Sequence, residues 1–190
     1  MKPIWMVLAA CLALAGCASV SVQDYAKDAP KLDLRSYFDG RIDGWGMVQD
    51  RGGKVLRRFV VKIDAHWQGE KGVLEEHFDW SDGKTEFRRW EIEKDGDHYR
   101  GTAGDVVGTA AGEAAGNALQ WRYTLALPVE GRTWHVQMDD WMYLIDGQTL
   151  ANRTVMRKFG LRVAEISIFF RRAGAATGPG PAVVAPETPR

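Results

Sequence analysis

The chain has 190 residues, 45% of them hydrophobic, with 25 basic and 25 acidic residues. A balanced charge with no basic block argues against a nucleic-acid-binding protein. The lack of a long acidic run argues against a disordered acidic tail. A single domain accounts for a chain of this length once a leader and a tail are set aside.

The first predicted element is a secretory signal peptide over residues 1–16. It opens with the basic Lys2 and continues as an apolar run, residues 4–14, that is too short to span a bilayer. The run ends in LAGC, which resembles the lipobox of bacterial lipoproteins. The resemblance implies that Cys17 is lipidated and becomes the mature N-terminus. The sequence AS that follows implies a lipid-anchored protein of the bacterial outer membrane that faces the periplasm. The alternative is an ordinary signal peptide with an incidental cysteine.

Cleavage would remove Cys11 and leave Cys17 as the one cysteine of the mature chain, so no disulfide is available. We predict that residues 17–36 are the lipidated N-terminus and a tether to the membrane. Residues 37–172 form the folded domain, which is stabilised by packing alone. Residues 173–190 are rich in Ala, Gly and Pro, lack aromatic residues, and are predicted to be a disordered tail.

The folded domain is predicted to be all-β. Turn signals recur at strand-length intervals: DRGG, QGEKG, SDG, KDGD, PVEG and DGQ. Between them apolar and polar residues alternate, as in the run that contains Phe59, Val61 and Ile63. We predict eight to ten strands, over residues 41–49, 54–67, 73–80, 84–93, 97–103, 117–127, 132–145, 148–158 and 161–171.

A sheet of so many strands tends to close on itself, because closure removes unpaired edges. We therefore predict an antiparallel up-and-down β-barrel of the calycin, or lipocalin-like, kind, with a two-sheet sandwich as the alternative. The sequence DGWG around Trp45 and the pair Arg171-Arg172 loosely resemble the residues with which lipocalins close the base of the barrel, although the spacing differs.

Residues 104–117, GDVVGTAAGEAAGN, carry a glycine at every fourth position. A membrane helix is excluded because the stretch is short and contains Asp105 and Glu113. A phosphate-binding loop would need a following Lys-Ser or Lys-Thr, which is missing. We predict a connector between strands that packs closely on the barrel and forms one or two helical turns.

Extending the alternation places a few polar residues among apolar ones on the inner face. The turn at SDG would set Glu76 opposite Arg88 on the neighbouring strand. A pocket with apolar walls and a few polar groups suits an amphipathic ligand. The alternatives are a buried ion-pair network, or a register shifted by one residue that turns these side chains outward. The candidate ligand-binding residues are Trp45, Glu76, Arg88, Trp90, Trp121, Met138, Asp140 and Asn152.

The sequence contains few features that indicate catalysis. The four histidines lie on separate runs without metal-ligand spacing, so we predict no metal site and no cofactor. No nucleophile motif is present. Glu76 and Asp140 could act as an acid/base pair, but the sequence does not fix their separation.

Four long segments of the chain occur together in order: GMVQDRGGKVLRRFVV, LEEHFDWSDGKTEFRRW, YRGTAGDVVGTAAGEAAGNALQWRYTL and DDWMYLIDGQTLANRTVMRKFG. They resemble a family of proteobacterial predicted lipoproteins known only as a domain of unknown function, family 3833. The likeness covers nearly all of residues 37–171. It implies an envelope location and a single domain, and it implies no activity and no site residues.

Three hypotheses about function follow. The first is a lipid-anchored envelope protein that binds an apolar or amphipathic small molecule, such as a fatty acid or lipid fragment, in the barrel. The second is an envelope interaction or structural lipoprotein with a solid core. The third is an enzyme that uses Glu76 or Asp140. A cavity inside the barrel would favour the first hypothesis over the second.

Overall fold

A computed structural model describes residues 19–173, which form a closed barrel of ten antiparallel strands. Each strand pairs with its neighbours in sequence, and the first strand pairs with the last. The strands are β1 (Gly40–Asp50), β2 (Val55–Gln68), β3 (Lys71–Trp80), β4 (Thr85–Asp95), β5 (His98–Ala103), β6 (Val106–Ala115), β7 (Ala118–Val129), β8 (Arg132–Leu144), β9 (Thr149–Lys158) and β10 (Leu161–Arg172). The predicted all-β barrel is confirmed, and the sandwich is excluded. The signal peptide, Cys17 and residues 174–190 of the predicted tail lie outside the described residues.

The two-residue alternation fills the barrel interior, as predicted. On β2 the side chains of Phe59, Val61 and Ile63 are buried, while the residues between them are exposed. The same rule turns Trp121 on β7 and Phe170 on β10 inward, where both are buried. Because successive strand residues point to opposite faces, one inward side chain fixes the orientation of its whole strand.

β6 consists of the glycine-rich segment, so the predicted connector with helical turns is wrong. The strand bulges where its pairing with β7 shifts between Val107 and Ala111, and Gly108 in that bulge has a positive φ of 73°. The Trp121 ring lies over the backbone of Gly112 and Gly101. A Cβ on Gly101 would stand 2.9 Å from Cζ2 of Trp121, and one on Gly112 would overlap the ring. These glycines therefore make room for an inward tryptophan.

Residues 19–39 fold across one end of the barrel, which we call the closed end. A short 3₁₀ helix, Val22–Tyr25, buries Val22 against Ala115 and Ala118. Leu32 is 1% exposed, and its N–H donates to the Gly116 carbonyl at 2.8 Å. The tether predicted for residues 17–36 is thus wrong from Val22 onward, because this stretch belongs to the packed domain.

The helix α1 (Leu34–Tyr37) completes the closed end. Asp33 caps it by accepting from the Ser36 N–H, and Leu34 and Tyr37 are buried. The guanidinium of Arg172 donates to the carbonyls of Ser36 and Asp39, at 3.1 and 3.3 Å. These hydrogen bonds join the last strand to the N-terminal segment that covers the closed end. No helix within residues 19–173 is long and apolar enough to cross a membrane.

Candidate functional site

The barrel encloses a cavity of about 290 Å³. Leu34 and Phe38 contribute to its lining from the closed end. The cavity extends to Arg57 and Glu86 at the opposite end, and their side chains are 32% and 51% exposed. Solvent therefore reaches the cavity from this second end, which we call the open end. The wall between the two ends is mostly aromatic and aliphatic, and includes Phe59, Phe78, Trp90, Trp121, Ile168 and Phe170.

Three ionisable side chains meet on one side of this cavity. Glu76 on β3 and Arg88 on β4 are cross-strand partners, with 3.8 Å between Oε2 of Glu76 and Nη1 of Arg88. The closer partner of Arg88 is Asp105, in the turn between β5 and β6. Arg88 donates from Nη2 to Oδ2 at 2.7 Å, and from Nε to both carboxylate oxygens at 3.0 and 3.1 Å. The guanidinium is therefore largely committed to Asp105.

Burial raises the pKa of Glu76 to about 7. The positive charge of Arg88 and a hydrogen bond from the Trp90 indole oppose this rise, whereas the negative charges of Asp105 and Asp140 add to it. Arg88 lies too far away for a strong hydrogen bond and is shared with Asp105, so it offsets the burial only in part. Glu76 consequently exchanges a proton near neutral pH inside an apolar enclosure.

Asp140 on β8 is a second carboxyl of this kind. Its residue is 6% exposed and lines the cavity, and burial raises its pKa to about 7. Hydrogen bonds from Thr154 and Tyr123 and the charge of Arg88 pull the pKa down. Oδ1 of Asp140 nevertheless has no hydrogen-bond partner among the described residues. The Thr154 hydroxyl has a single hydrogen to donate, and its Oγ1 also lies 3.3 Å from the amide oxygen Oδ1 of Asn152, a competing acceptor. Asp140 is thus short of donors.

Arg57 lies at the open end of the cavity. Its guanidinium stacks on the Trp80 ring, 3.8 Å from the centroid, and Nη2 lies 2.9 Å from Oδ1 of Asp82. Its Nη1 lies 4.0 Å from Oε1 of Glu86. The Nε atom of Arg57 and the indole Nε1 of Trp80 are buried without partners among the described residues. Arg57 therefore covers part of the entrance while two donors stay unused.

Six of the predicted ligand-binding residues line the cavity: Glu76, Arg88, Trp90, Trp121, Asp140 and Asn152. Met138 is buried, 3% exposed, but does not line the cavity. It packs in an apolar cluster with Val136 and with Leu125 and Met156, two residues that do line it.

Trp45 does not line the cavity, and its prediction as a ligand-binding residue is wrong. It is 49% exposed on the outer face, between Val60 of β2 and Phe169 of β10. Gly44 and Gly46 face inward instead. A Cβ on Gly44 would stand 2.7 Å from Cγ1 of Val61, and one on Gly46 would overlap the Phe59 ring. Rings from other strands occupy the space that a first-strand tryptophan was expected to fill.

A family model described as "Protein of unknown function (DUF3833)" matches residues 11–172. The chain belongs to this family. A solved structure of a de novo designed, fluorescence-activating β-barrel is 12% identical, with a TM-score of 0.41. The match covers 74% of this chain and 98% of that one. The comparison with curated proteins finds no match.

In this member of the DUF3833 family, sequence reasoning missed several residues of the site. Tyr123 and Thr154 occupy positions that the two-residue alternation turns inward. Their polarity was the one sequence signal that could have marked them as site residues. Asp105 was missed because it lies in a turn whose position depends on β6. Within residues 19–173, no three His, Cys, Asp or Glu residues cluster as metal ligands would.

Proposed function

We propose that this protein is a lipid-anchored envelope protein that binds an apolar or amphipathic small molecule, of lipid type, inside its barrel. The observation that carries the proposal is the cavity of about 290 Å³, lined mostly by aromatic and aliphatic side chains. Its volume is near the lower end of the range for small-molecule pockets, which begins at about 300 Å³. A structural lipoprotein with a solid core would have no need of such a space.

The aromatic wall of the cavity supports an apolar ligand. Trp90 packs edge-on against Trp121 and Tyr123, with centroids 5.7 and 5.4 Å apart, and Phe59 packs against Phe78 at 5.5 Å. These contacts hold the rings in fixed positions and provide an apolar surface before a ligand arrives. Glu76, Arg88 and Asp140 supply the few polar groups that would orient a ligand.

The packed N-terminal segment bears on the orientation of an anchored protein. Only the four residues 18–21 separate Cys17 from Val22, which is buried at the closed end. The five residue steps from Cys17 to Val22 span at most about 18 Å. A lipid on Cys17 would hold the closed end near the membrane, so the open end would face away from it, toward the periplasm.

The binding proposal is tested by native mass spectrometry of the protein purified from its own envelope. We expect a retained small molecule that denaturation releases. Val48→Trp adds bulk to the cavity lining, whereas Met47→Trp places the same ring at the neighbouring position, which points away from the lumen. Loss of the adduct in the first variant and its retention in the second would support binding in the barrel. Absence of any adduct from the wild-type protein, together with no uptake of added lipids, would refute it.

The anchor is tested separately by labelling cells with a radioactive fatty acid. We expect incorporation into the wild-type chain and none into Cys17→Ser. Cys11→Ser is the matched control, because that cysteine lies in the predicted leader and should leave labelling intact. Equal labelling of the Cys17→Ser variant would contradict the anchor.

An enzyme that uses the two interior carboxyls is the second candidate. Glu76 and Asp140 line the same cavity, and a pKa of about 7 for each suits general acid or base chemistry near neutral pH. Comparing the molecule retained by wild-type protein with that retained by Asp140→Asn tests this candidate. A chemically altered molecule in the wild type alone would favour the enzyme, and identical masses would favour binding without turnover.

A further inference from the structure

The cavity holds more negative than positive groups. Arg88 faces it from β4, Glu76 from β3 and Asp140 from β8, while Asp105 approaches Arg88 from the β5–β6 turn. Within residues 19–173, the other ionisable group that faces this cluster is Tyr123 on β7, and burial raises the pKa of its hydroxyl far above the ordinary value. Farther along, Arg57 and Glu86 occupy the entrance. The central cluster therefore contains one cation and three carboxyls.

The single cation is already paired. Arg88 makes its short contacts with Asp105, at 2.7 to 3.1 Å, and stands 3.8 Å from Glu76. Asp140 has no ionic contact of this kind among the described residues, and its Oδ1 accepts no hydrogen bond there. A buried carboxyl with one oxygen left without a donor is costly unless it is neutral or gains a partner. Glu76 and Asp140 are thus the two groups that an incoming donor would satisfy.

We propose, resting on the binding function above, that the ligand is a single-chain amphiphile whose polar head is a protonated amine held by Asp140 and Glu76. An ammonium offers up to three donors and a positive charge. These complement one carboxyl with an oxygen that accepts no hydrogen bond and another that is only weakly paired. The alkyl chain then lies against the Trp90 and Trp121 rings. A cavity of about 150 Å³ holds benzene, so one of about 290 Å³ holds roughly ten to twelve carbon atoms.

A fatty acid is disfavoured by the same geometry. At pH 8, where Glu76 and Asp140 are mostly ionised, its carboxylate would be a fourth anionic group beside these two and Asp105. Among the described residues, the cation beside these carboxyls is Arg88, which would have to release Asp105 first. Arg57, at the entrance, already pairs with Asp82 at 2.9 Å. Like charges in a poorly solvated cavity repel more strongly than in water, so an anionic head binds less well than a neutral one and much less well than a cationic one.

The affinity for an amine head should rise with pH across neutrality. Burial holds the pKa of both Glu76 and Asp140 at about 7, so each carboxyl is mostly protonated at pH 6 and mostly ionised at pH 8. An alkyl ammonium keeps its charge over this interval. Its binding therefore releases protons near neutral pH, whereas the binding of an uncharged alcohol does not.

The test uses the full-length purified protein and the fluorescent probe 1-naphthylamine, which has ten carbon atoms and is uncharged at pH 8, followed by displacement with decylamine, decanol and decanoate. At pH 8 we expect decylamine to displace the probe at a concentration at least about tenfold lower than decanol does, with decanoate weakest. Failure of the probe and of all three compounds to bind would refute the binding function itself. Probe binding with decanol or decanoate equal to or better than decylamine would overturn only the amine head.

Neighbouring carboxyls on the outer face supply matched controls. Asp140→Asn and Glu76→Gln should each weaken decylamine about tenfold or more while leaving decanol nearly unchanged. Asp139→Asn and Glu75→Gln change the adjacent residues, which pair with arginines on the outside, and should leave the order of affinities intact. Equal effects from the inner and outer substitutions would overturn the proposed contacts. The wild-type displacement series decides the matter even where a variant fails to fold.

Discussion

Oε2 of Glu76 stands 3.8 Å from Nη1 of Arg88, because these residues are cross-strand partners on β3 and β4. The turn between the strands sets this register. The Trp80 N–H donates to the Lys84 carbonyl at 2.9 Å, and each step of two residues from there brings the next inward pair together. Arg88 then extends the connection to Asp105, so one guanidinium links the β3–β4 hairpin to the β5–β6 turn.

Replacing Arg88 by Gln should lower the free energy of unfolding by about 2 to 3 kcal/mol, because the partly buried Asp105 and Glu76 lose their cation. Arg89→Gln is the control. Its side chain is 43% exposed and pairs with Glu75 at 3.7 Å on the outer face, so the loss should stay below about 1 kcal/mol. Urea unfolding followed by tryptophan fluorescence measures both. Equal losses would show that Arg88 contributes no more than a surface residue.

The free energy of unfolding should fall as the pH rises from about 4.5 to about 7. Burial raises the pKa of Glu76 from 4.5, and that of Asp140 from 3.8, to about 7 in the folded protein. Between the unfolded-state pKa and the folded-state pKa of each carboxyl, the folded protein keeps a proton that the unfolded chain releases. Each rise in pH across this interval therefore favours the unfolded chain, and the loss is complete once the folded-state pKa has been passed. The change is at most about 3 kcal/mol for Glu76 and about 4 kcal/mol for Asp140.

The double variant Glu76→Gln/Asp140→Asn should flatten this part of the pH profile. Urea midpoints collected at half-unit pH intervals would show it. Glu165, whose pKa is lowered chiefly by its hydrogen bond from Arg153, acts in the opposite direction and only at lower pH. A wild-type profile that is flat from pH 5 to pH 7, or that rises, would contradict the assignment.

Gly112→Ala should cost about 1 to 3 kcal/mol, because a Cβ there would overlap the Trp121 ring and force it to move. Gly104→Ala is the matched control from the same glycine series. A Cβ at Gly104 meets nothing within 4 Å, so the stability should change by less than about 0.5 kcal/mol. Thermal unfolding and near-UV circular dichroism report on the tryptophan. Similar effects at both positions would mean that the spacing of the glycines, not the ring, matters.

Arg57→Ala should speed ligand exchange by removing the side chain that stacks on Trp80 at the open end. We expect entry and release of a neutral fluorescent probe to accelerate severalfold in stopped-flow measurements, with a smaller change in equilibrium affinity. Arg58→Ala is the control, because Arg58 is an exposed residue on the outer face of the same strand. Unchanged rates in the Arg57 variant would show that the probe enters elsewhere.

Leu32→Ala should destabilise the fold by about 2 to 5 kcal/mol, as expected for a buried leucine in a packed core. Val20→Ala, at a site 55% exposed, should change the stability by less than about 0.5 kcal/mol. Chemical denaturation of the two variants tests whether the N-terminal segment belongs to the cooperative unit. A negligible effect of the Leu32 substitution would mean that the segment detaches without unfolding the barrel.

The sequence predicted nine of the ten strands, because strands such as β2 and β7 alternate apolar and polar side chains. β6 was missed for a physical reason. Its Gly and Ala residues carry little side-chain signal, and its pairing is fixed by the Trp121 ring and by the adjacent hairpins, which no local pattern encodes.

The same limits apply to the site. Glu76 and Arg88 could be paired from the sequence because a short turn fixes their register. Trp45 was misplaced because the rule that large apolar residues face inward fails on β1, where Phe59 and Phe170 already cover the inward glycines. The contact of Asp105 with Arg88 depends on the three-dimensional position of the β5–β6 turn, which the pattern of residues along the chain does not predict.

The pairing of β1 with β10 joins Asp43 to Arg171, near the two extremes of the described chain. During synthesis the barrel therefore cannot close until β10 has left the ribosome and can pair with β1. A product that stops before Leu161 would lack β10, and the backbone N–H and C=O groups along the edges of β1 and β9 would be unpaired. Each edge could pair with a strand from another molecule. Premature termination near the C-terminus should thus give insoluble assemblies, even though nearly all of the interior side chains are already present.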